Sequence, residues 1–190
     1  MIKKTVCTLA LALAAQGALA DEFTPALEQY LNENIVQWAT DPVIIAALRD
    51  ANSQTAGYDS ARIEALDQAW RAEVGMSDTP TITPILSNAA ADFLRQQVEA
   101  SGGVISEVFI MDQVGLNAAA SGVTSDMWQG DEEKFTATYS AGAGAVHIAD
   151  VEFDESTQTY VGQVSLSITD PETGDLVGAM TVGLNAEALF

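Results

Sequence analysis

The sequence predicts an α+β protein in which long N-terminal helices precede a five-stranded antiparallel sheet. Three observations carry this reading. Up to residue 100, apolar residues recur at three- and four-residue spacing, the period of helices with one buried face. Ser101-Gly102-Gly103 then ends that pattern abruptly. Beyond it, short apolar or alternating runs are separated by polar, turn-forming residues, as in antiparallel strands.

In the helical part, Asp21 to Thr40 places Phe23, Leu27, Tyr30, Leu31, Ile35 and Trp38 along one stripe. Asp41-Pro42 supplies a capping side chain and a first-turn proline for a second helix, Val43 to about Asn52, with Ile44, Ile45 and Leu48 inward. After the polar turn Ser53 to Tyr58, Asp59 caps a third helix. Its stripe is Ile63, Leu66, Trp70 and Val74, and Gly75 ends it. Met76 to Thr83 is a linker marked by Pro80. One further helix then starts at Thr83-Pro84 and buries Ile85, Leu86, Ala89, Phe93, Leu94 and Val98.

The first strand is Val104 to Met111, and Asp112-Gln113-Val114-Gly115 forms a turn into a second, Leu116 to Ala120. A loop bearing one aromatic, Ser125 to Gly130, leads to a short acidic helix, Asp131 to Phe135. Three more strands follow. Ala143 to Phe153 is the third, and Thr159 to Thr169 the fourth, with the alternation of a half-buried strand. Leu176 to Leu184 closes the set. Asp154-Glu155-Ser156-Thr157 and Asp170-Pro171-Glu172-Thr173-Gly174 form the connecting turns. The glycine-rich Ser140 to Gly144 lacks the lysine and helix start of a phosphate cradle and reads as a connection.

Residues 1–20 have the three parts of a secretory signal peptide. Lys3 and Lys4 begin it, Val6 to Ala15 is apolar, and Ala18-Leu19-Ala20 is a small-residue cleavage site. The apolar run is short against the roughly 20 residues of a bilayer span, and no later segment is long enough. The reading is therefore a periplasmic protein with no membrane insertion after signal removal. Cys7 is the single cysteine and leaves with the signal, so the mature chain has neither disulfides nor thiol chemistry. Without Lys3 and Lys4, five basic residues face 27 acidic ones, a net charge of −22. Nucleic acid and anionic membrane surfaces both need Lys or Arg to neutralise phosphate, so neither is a partner.

Helices followed by a hairpin, a short helix and three strands make the order of a PAS-like sheet. The chain resembles the extracytoplasmic Cache (PDC-type) sensor domains. The matching features are Asp41-Pro42-Val43-Ile44, the hairpin Val-Phe-Ile-Met-Asp-x-x-Gly-Leu-Asn of residues 108–117, and the Trp128 loop. The resemblance implies a helical region over 21–82, a Cache core over 83–190, and a small molecule bound between the sheet and the helix-loop after the second strand. Most family members are parts of membrane receptors. This chain ends at Phe190 directly after the last strand, so the expectation is a stand-alone sensor-type protein without its own signalling output, working with a membrane-bound sensor partner.

Family members that bind amino acids hold the carboxylate with an arginine two residues before the loop tryptophan. Here that place is Asp126. The departure removes the guanidinium fork. It points to a small polar or cationic solute held by Asp126 and Asp150 and by the faces of Trp128 or Tyr139, in a hollow beneath the Trp128 loop. Tyr139 and Asp150 match the tyrosine and aspartate that hold a ligand ammonium in the family. The residues alone leave other roles open. Asp126 also suits a turn cap, Trp128 a lid packed without ligand, and Asp150 a water-facing strand position.

Asp150, Glu152 and Asp154 fall on one strand face at two-residue spacing, as either a Ca²⁺ site or a solvated edge, and the edge is preferred because no calcium-loop spacing is present. His147, the one histidine, has no cysteine partner and reads as a strand residue. There is no Gly-x-Ser-x-Gly elbow. The chain is accordingly expected to have no enzymatic activity, cofactor or metal. The alternative function is an interaction module that uses its helices to form a homodimer or to pair with a membrane sensor, without a small ligand.

Overall fold

In the computed structural model, residues 23–154 and 158–190 are described. Residues 1–22, with the expected signal peptide, and residues 155–157 of the expected Asp154 to Thr157 turn lie outside them. The first helix, α1 (23–30), runs into a π turn, Leu31–Ile35, and a 3₁₀ turn, Val36–Thr40. Asn32 and Asn34 donate their side-chain amides to the carbonyls of Glu28 and Tyr30, where they compete with the regular ladder. Next comes α2 (Pro42–Thr55), for which Asp41 accepts the Val43 N–H at 2.9 Å and Pro42 fills the first turn. α3 (Ser60–Glu73) is capped by Asp59.

Two helical expectations change. Val74 is not part of the α3 stripe. It follows the last helical residue and is exposed, leaving Trp70 as the fully buried anchor. The single helix expected from Thr83 is two, α4 (Ile82–Leu86) and α5 (Ala89–Ala100). Asn88 makes the break. Its oxygen accepts the Ala91 N–H while its nitrogen donates to the carbonyls of Pro84, Ile85 and Ala118.

The strands form one antiparallel sheet. They are β1 (Ile105–Met111), β2 (Asn117–Ala120), β3 (Val146–Ile148), β4 (Glu152–Asp154), β5 (Thr159–Thr169) and β6 (Leu176–Asn185), in the order β2-β1-β6-β5-β3, with β4 also on β5. The expected third strand is thus two short pieces on one edge. Val146 pairs Leu166 and Ile148 pairs Val164, but Glu152 pairs Val161, so the register slips by one residue. This is a bulge, and it interrupts the ladder at Ala149-Asp150-Val151. Between β2 and β3 lie α6 (Glu133–Thr136) and the 3₁₀ turn Tyr139–Ala141.

The register assigns the faces. Val108, Val182, Val164, Met180 and Leu166 lie on the face packed against Leu27, Leu31, Ile35, Ile44, Leu48 and Leu94 of the helical layer. On the second face Phe109, Thr181, Ser165 and His147 form one cross-strand row. β5 is not half-buried at its centre as its alternation implied. Ser165 and Ser167 are buried too, and the Ser165 and Thr181 hydroxyls bond each other at 2.9 Å. Among the described residues, no helix is long and apolar enough to cross a membrane.

Candidate functional site

The loop expected to carry the site is tied to the helical layer. One oxygen of Asp67 on α3 accepts the N–H groups of both Met127 and Trp128. Arg71 bridges from Asp67, at 2.7 Å, to the Asp126 carboxylate, at 3.1 Å. Gln129 donates to the same carboxylate. Asp126 therefore already holds a guanidinium. The Trp128 indole N–H donates to the Val114 carbonyl at 2.9 Å, and the ring lies against Gly130 beside the β1–β2 turn. Beneath it Trp70, Ile82, Leu116 and Met127 make an apolar cluster.

Tyr139 stacks on Phe135 with ring centres 5.1 Å apart. The pair packs on Phe109, Met111, Ala120 and Ala179 of the sheet's second face, filling its centre. Burial raises the Tyr139 hydroxyl pKa, and the nearby Asp112 adds to it.

The open space lies further along that face. A cleft of about 850 Å³ is bounded by β1, β5, α6 and the broken β3–β4 edge. Four carboxylates line it: Glu107, Glu133, Asp150 and Glu152. Its described lining contains no lysine or arginine, and His147 and Gln163 are its other titratable or amide-bearing groups. Glu107 is the most enclosed of the four carboxylates. Gly183 stands directly between Glu107 and Gln163 in the ladder, and its missing side chain lets Glu107 lie across β6 toward Gln163, whose amide donates at 3.4 Å. A Cβ on Gly183 would meet the Glu107 Cγ at 2.9 Å and the Ser106 Oγ at 2.6 Å.

Burial raises the Glu107 pKa above the ordinary carboxylate value. The Lys134 ammonium and the Gln163 hydrogen bond oppose the rise without cancelling it. Lys134 is itself engaged, 2.9 Å from Glu132 and 5.5 Å from the centre of the Phe109 ring. His147 Nε2 is 3.8 Å from a Glu133 oxygen. Among the described residues, no three His, Cys, Asp or Glu side chains come close enough to share a metal ion.

Of the four sequence-derived site residues, Asp150 lines the cleft, Tyr139 belongs to the adjoining aromatic wall, and Asp126 and Trp128 sit at the β1–β2 turn. The structure does not bring the four together. Beneath the Trp128 loop, where the ligand was expected, Trp70, Ile82, Leu116 and Met127 pack together, and a cavity of about 440 Å³ lined in part by Leu66, Ile85, Leu116 and Met127 adjoins that cluster. Glu107, Gln163 and Glu133 were missed. Glu107 had a signal, being the one charged residue in the mainly apolar Val104 to Met111 run. Asp150 and Glu152 do share a surface, but through the bulge and not through regular alternation.

No protein-family model and no curated protein sequence matches the chain. Among solved structures it is similar to the ligand-binding domain of the Campylobacter jejuni chemoreceptor Tlp3 in complex with 4-methylisoleucine. The TM-score is 0.44 and the identity 13%, over 93% of this chain and 60% of that one. It is similar to the E. coli DcuS sensor domain at TM-score 0.43 and 11% identity, over 93% and 95% of the two chains. For the V. cholerae histidine kinase DctB sensor domain the values are 0.39 and 13%, over 92% and 59%. The chain thus spans about 60% of the Tlp3 and DctB structures and nearly all of the DcuS one. These neighbours are the ligand-binding domain of a chemoreceptor and two sensor domains.

Proposed function

We propose that the chain is an extracytoplasmic sensor-type binding protein that takes a small organic cation into the acidic cleft. The observation that carries this reading is the lining itself: four carboxylates, one of them half-buried, with no lysine or arginine among the described residues that line it. A carboxylate placed there meets like charge, and the nearby Lys134 ammonium is already held by Glu132. An ammonium meets several opposite charges there, and beside the half-buried Glu107 the interaction is stronger than in bulk water. The net charge of −20 adds a long-range field that favours arrival of cations. The extracytoplasmic part of the reading rests on the signal pattern of Met1 to Ala20.

Isothermal titration of the mature protein with putrescine, choline, L-isoleucine and succinate tests the proposal. Putrescine or choline should bind, with affinity falling as salt is added, and Glu107→Gln should weaken that binding at least tenfold. Tighter binding of succinate or isoleucine than of either amine would overturn it, as would an unchanged amine affinity in the variant.

A further inference from the structure

Two adjacent residues, Ser106 and Glu107 of β1, both line the acidic cleft. Regular alternation would point them to opposite faces of the sheet. The ladder shows why it does not. Ile105 pairs Leu184 and Glu107 pairs Gly183, so β1 uses two residues where β6 uses one. Ser106 is the extra residue of a bulge, which re-aims the side chains around it.

Gly183 leaves room for both. A Cβ there would lie 2.6 Å from Ser106 Oγ and 2.9 Å from Glu107 Cγ. The hydroxyl and the carboxylate-bearing chain therefore share the space over β6 that another residue's side chain would fill. Ser106 is exposed there, and Glu107 is half-buried. From β5 the Gln163 amide donates to Glu107 at 3.4 Å, and its oxygen can only accept. One glycine thus has a hydroxyl, a carboxylate and an amide gathered around it.

This set suits one kind of cation. An –NH₃⁺ group carries three N–H donors, and each needs an acceptor as the group leaves water. A quaternary ammonium has no donor and is recognised by the faces of aromatic rings. Among the described residues that line the cleft, Phe153 is the one Phe, Tyr or Trp. Its ring packs on Tyr160, with centres 5.2 Å apart, and Tyr160 stacks on Phe23 of α1, on the helical side of the sheet. We infer that the cleft selects a primary ammonium, seated between Ser106 Oγ and the Glu107 carboxylate. The inference rests on the reading of the cleft as a cation site and narrows it.

Putrescine and its counterpart with every N–H replaced by N-methyl carry the same charges on the same chain, and differ in their donors. Titrated calorimetrically into the mature protein, putrescine should bind at least tenfold more tightly. Comparable affinities, or tighter binding of the methylated cation, would overturn the inference and leave the cation reading standing. No binding of either would also overturn it, and the reading falls too if choline fails to bind. Ser106→Ala should narrow the ratio of the two affinities at least threefold, because it removes an acceptor that only the N–H form can use. An unchanged ratio in that variant would equally overturn the seat between Ser106 and Glu107. The comparison on the unaltered protein stands whether or not the variant folds.

Discussion

Asp67 accepts the backbone N–H of Trp128 at 3.0 Å, and with the same oxygen accepts that of Met127 at 2.9 Å. A single carboxylate on α3 thereby fixes the loop that follows β2. Burial by itself would raise the Asp67 pKa. The N–H groups of Trp128 and Met127, together with the Arg71 guanidinium, outweigh burial and hold it below the ordinary value.

Asp67→Ala should cost about 2 kcal/mol, because two backbone donors lose a charged acceptor. The Asp67 pKa is lower folded than unfolded, so its contribution is fully present above the ordinary carboxylate pKa. It is lost as pH falls through the depressed folded value. Urea unfolding of wild type and variant at pH 7 and pH 3 should show the gap narrowing at pH 3. A gap of the same size at both would contradict this account.

Glu107 has the opposite sign. Its raised pKa means the folded state prefers the protonated form, so its contribution to stability declines as pH rises from the ordinary carboxylate value through the raised one. Glu107→Gln should therefore melt higher than wild type at pH 7.5 and about equally at pH 4. The same variant is expected to bind amines less well, so stability and binding should move in opposite directions. A lower melting temperature at pH 7.5 would count against the buried-carboxylate reading.

Gly115 carries φ +84°, and a Cβ there would lie 2.5 Å from Gly130 Cα. Gly57 has nearly the same φ, +87°, with no atom within 4 Å of its would-be Cβ. Gly57→Ala should cost about 1 kcal/mol for the backbone conformation alone. Gly115→Ala should cost about 3 kcal/mol, since one backbone must also move away from another. Equal denaturation midpoints for the two variants would show that the close approach at Gly115 is not maintained in solution.

Arg49 on α2 reaches Asp170 at 2.5 Å and Glu172 at 2.6 Å, joining the helix to the β5–β6 turn. Asp170 is buried, so Arg49→Ala leaves a desolvated carboxylate without its cation. The variant should unfold at lower urea than wild type, with Arg49→Lys in between because an ammonium cannot reproduce the two-pronged contact. An Arg49→Lys midpoint below that of Arg49→Ala would refute the pairing.

Features set by neighbours in the chain were legible in the sequence. Asp41 and Asp59 cap the helices they precede, Gly115 turns the hairpin, and the change of period near residue 103 marks where the sheet begins. The break at Asn88 was hidden because Ile85, Leu86, Ala89 and Phe93 keep a helical spacing across it. The slip between β3 and β4 was hidden because one extra residue leaves no local mark. The surroundings of the candidate site residues were hidden for the same reason on a larger scale. The role of Asp126 depends on Arg71, which is 55 positions away, and the cleft draws Glu107, Glu133, Asp150 and Gln163 from four separate segments.

The bulge at Ala149-Asp150-Val151 also shapes how molecules meet at high concentration. It divides the open margin of the sheet into two three-residue pieces that are out of step with one another. A second copy aligned with one piece is misaligned with the other, so no long run of backbone donors and acceptors is on offer to recruit it. The interruption that leaves room for the cleft thereby makes the sheet a poor template for growth into fibrils, and removing one residue there would restore the continuous margin that such growth requires.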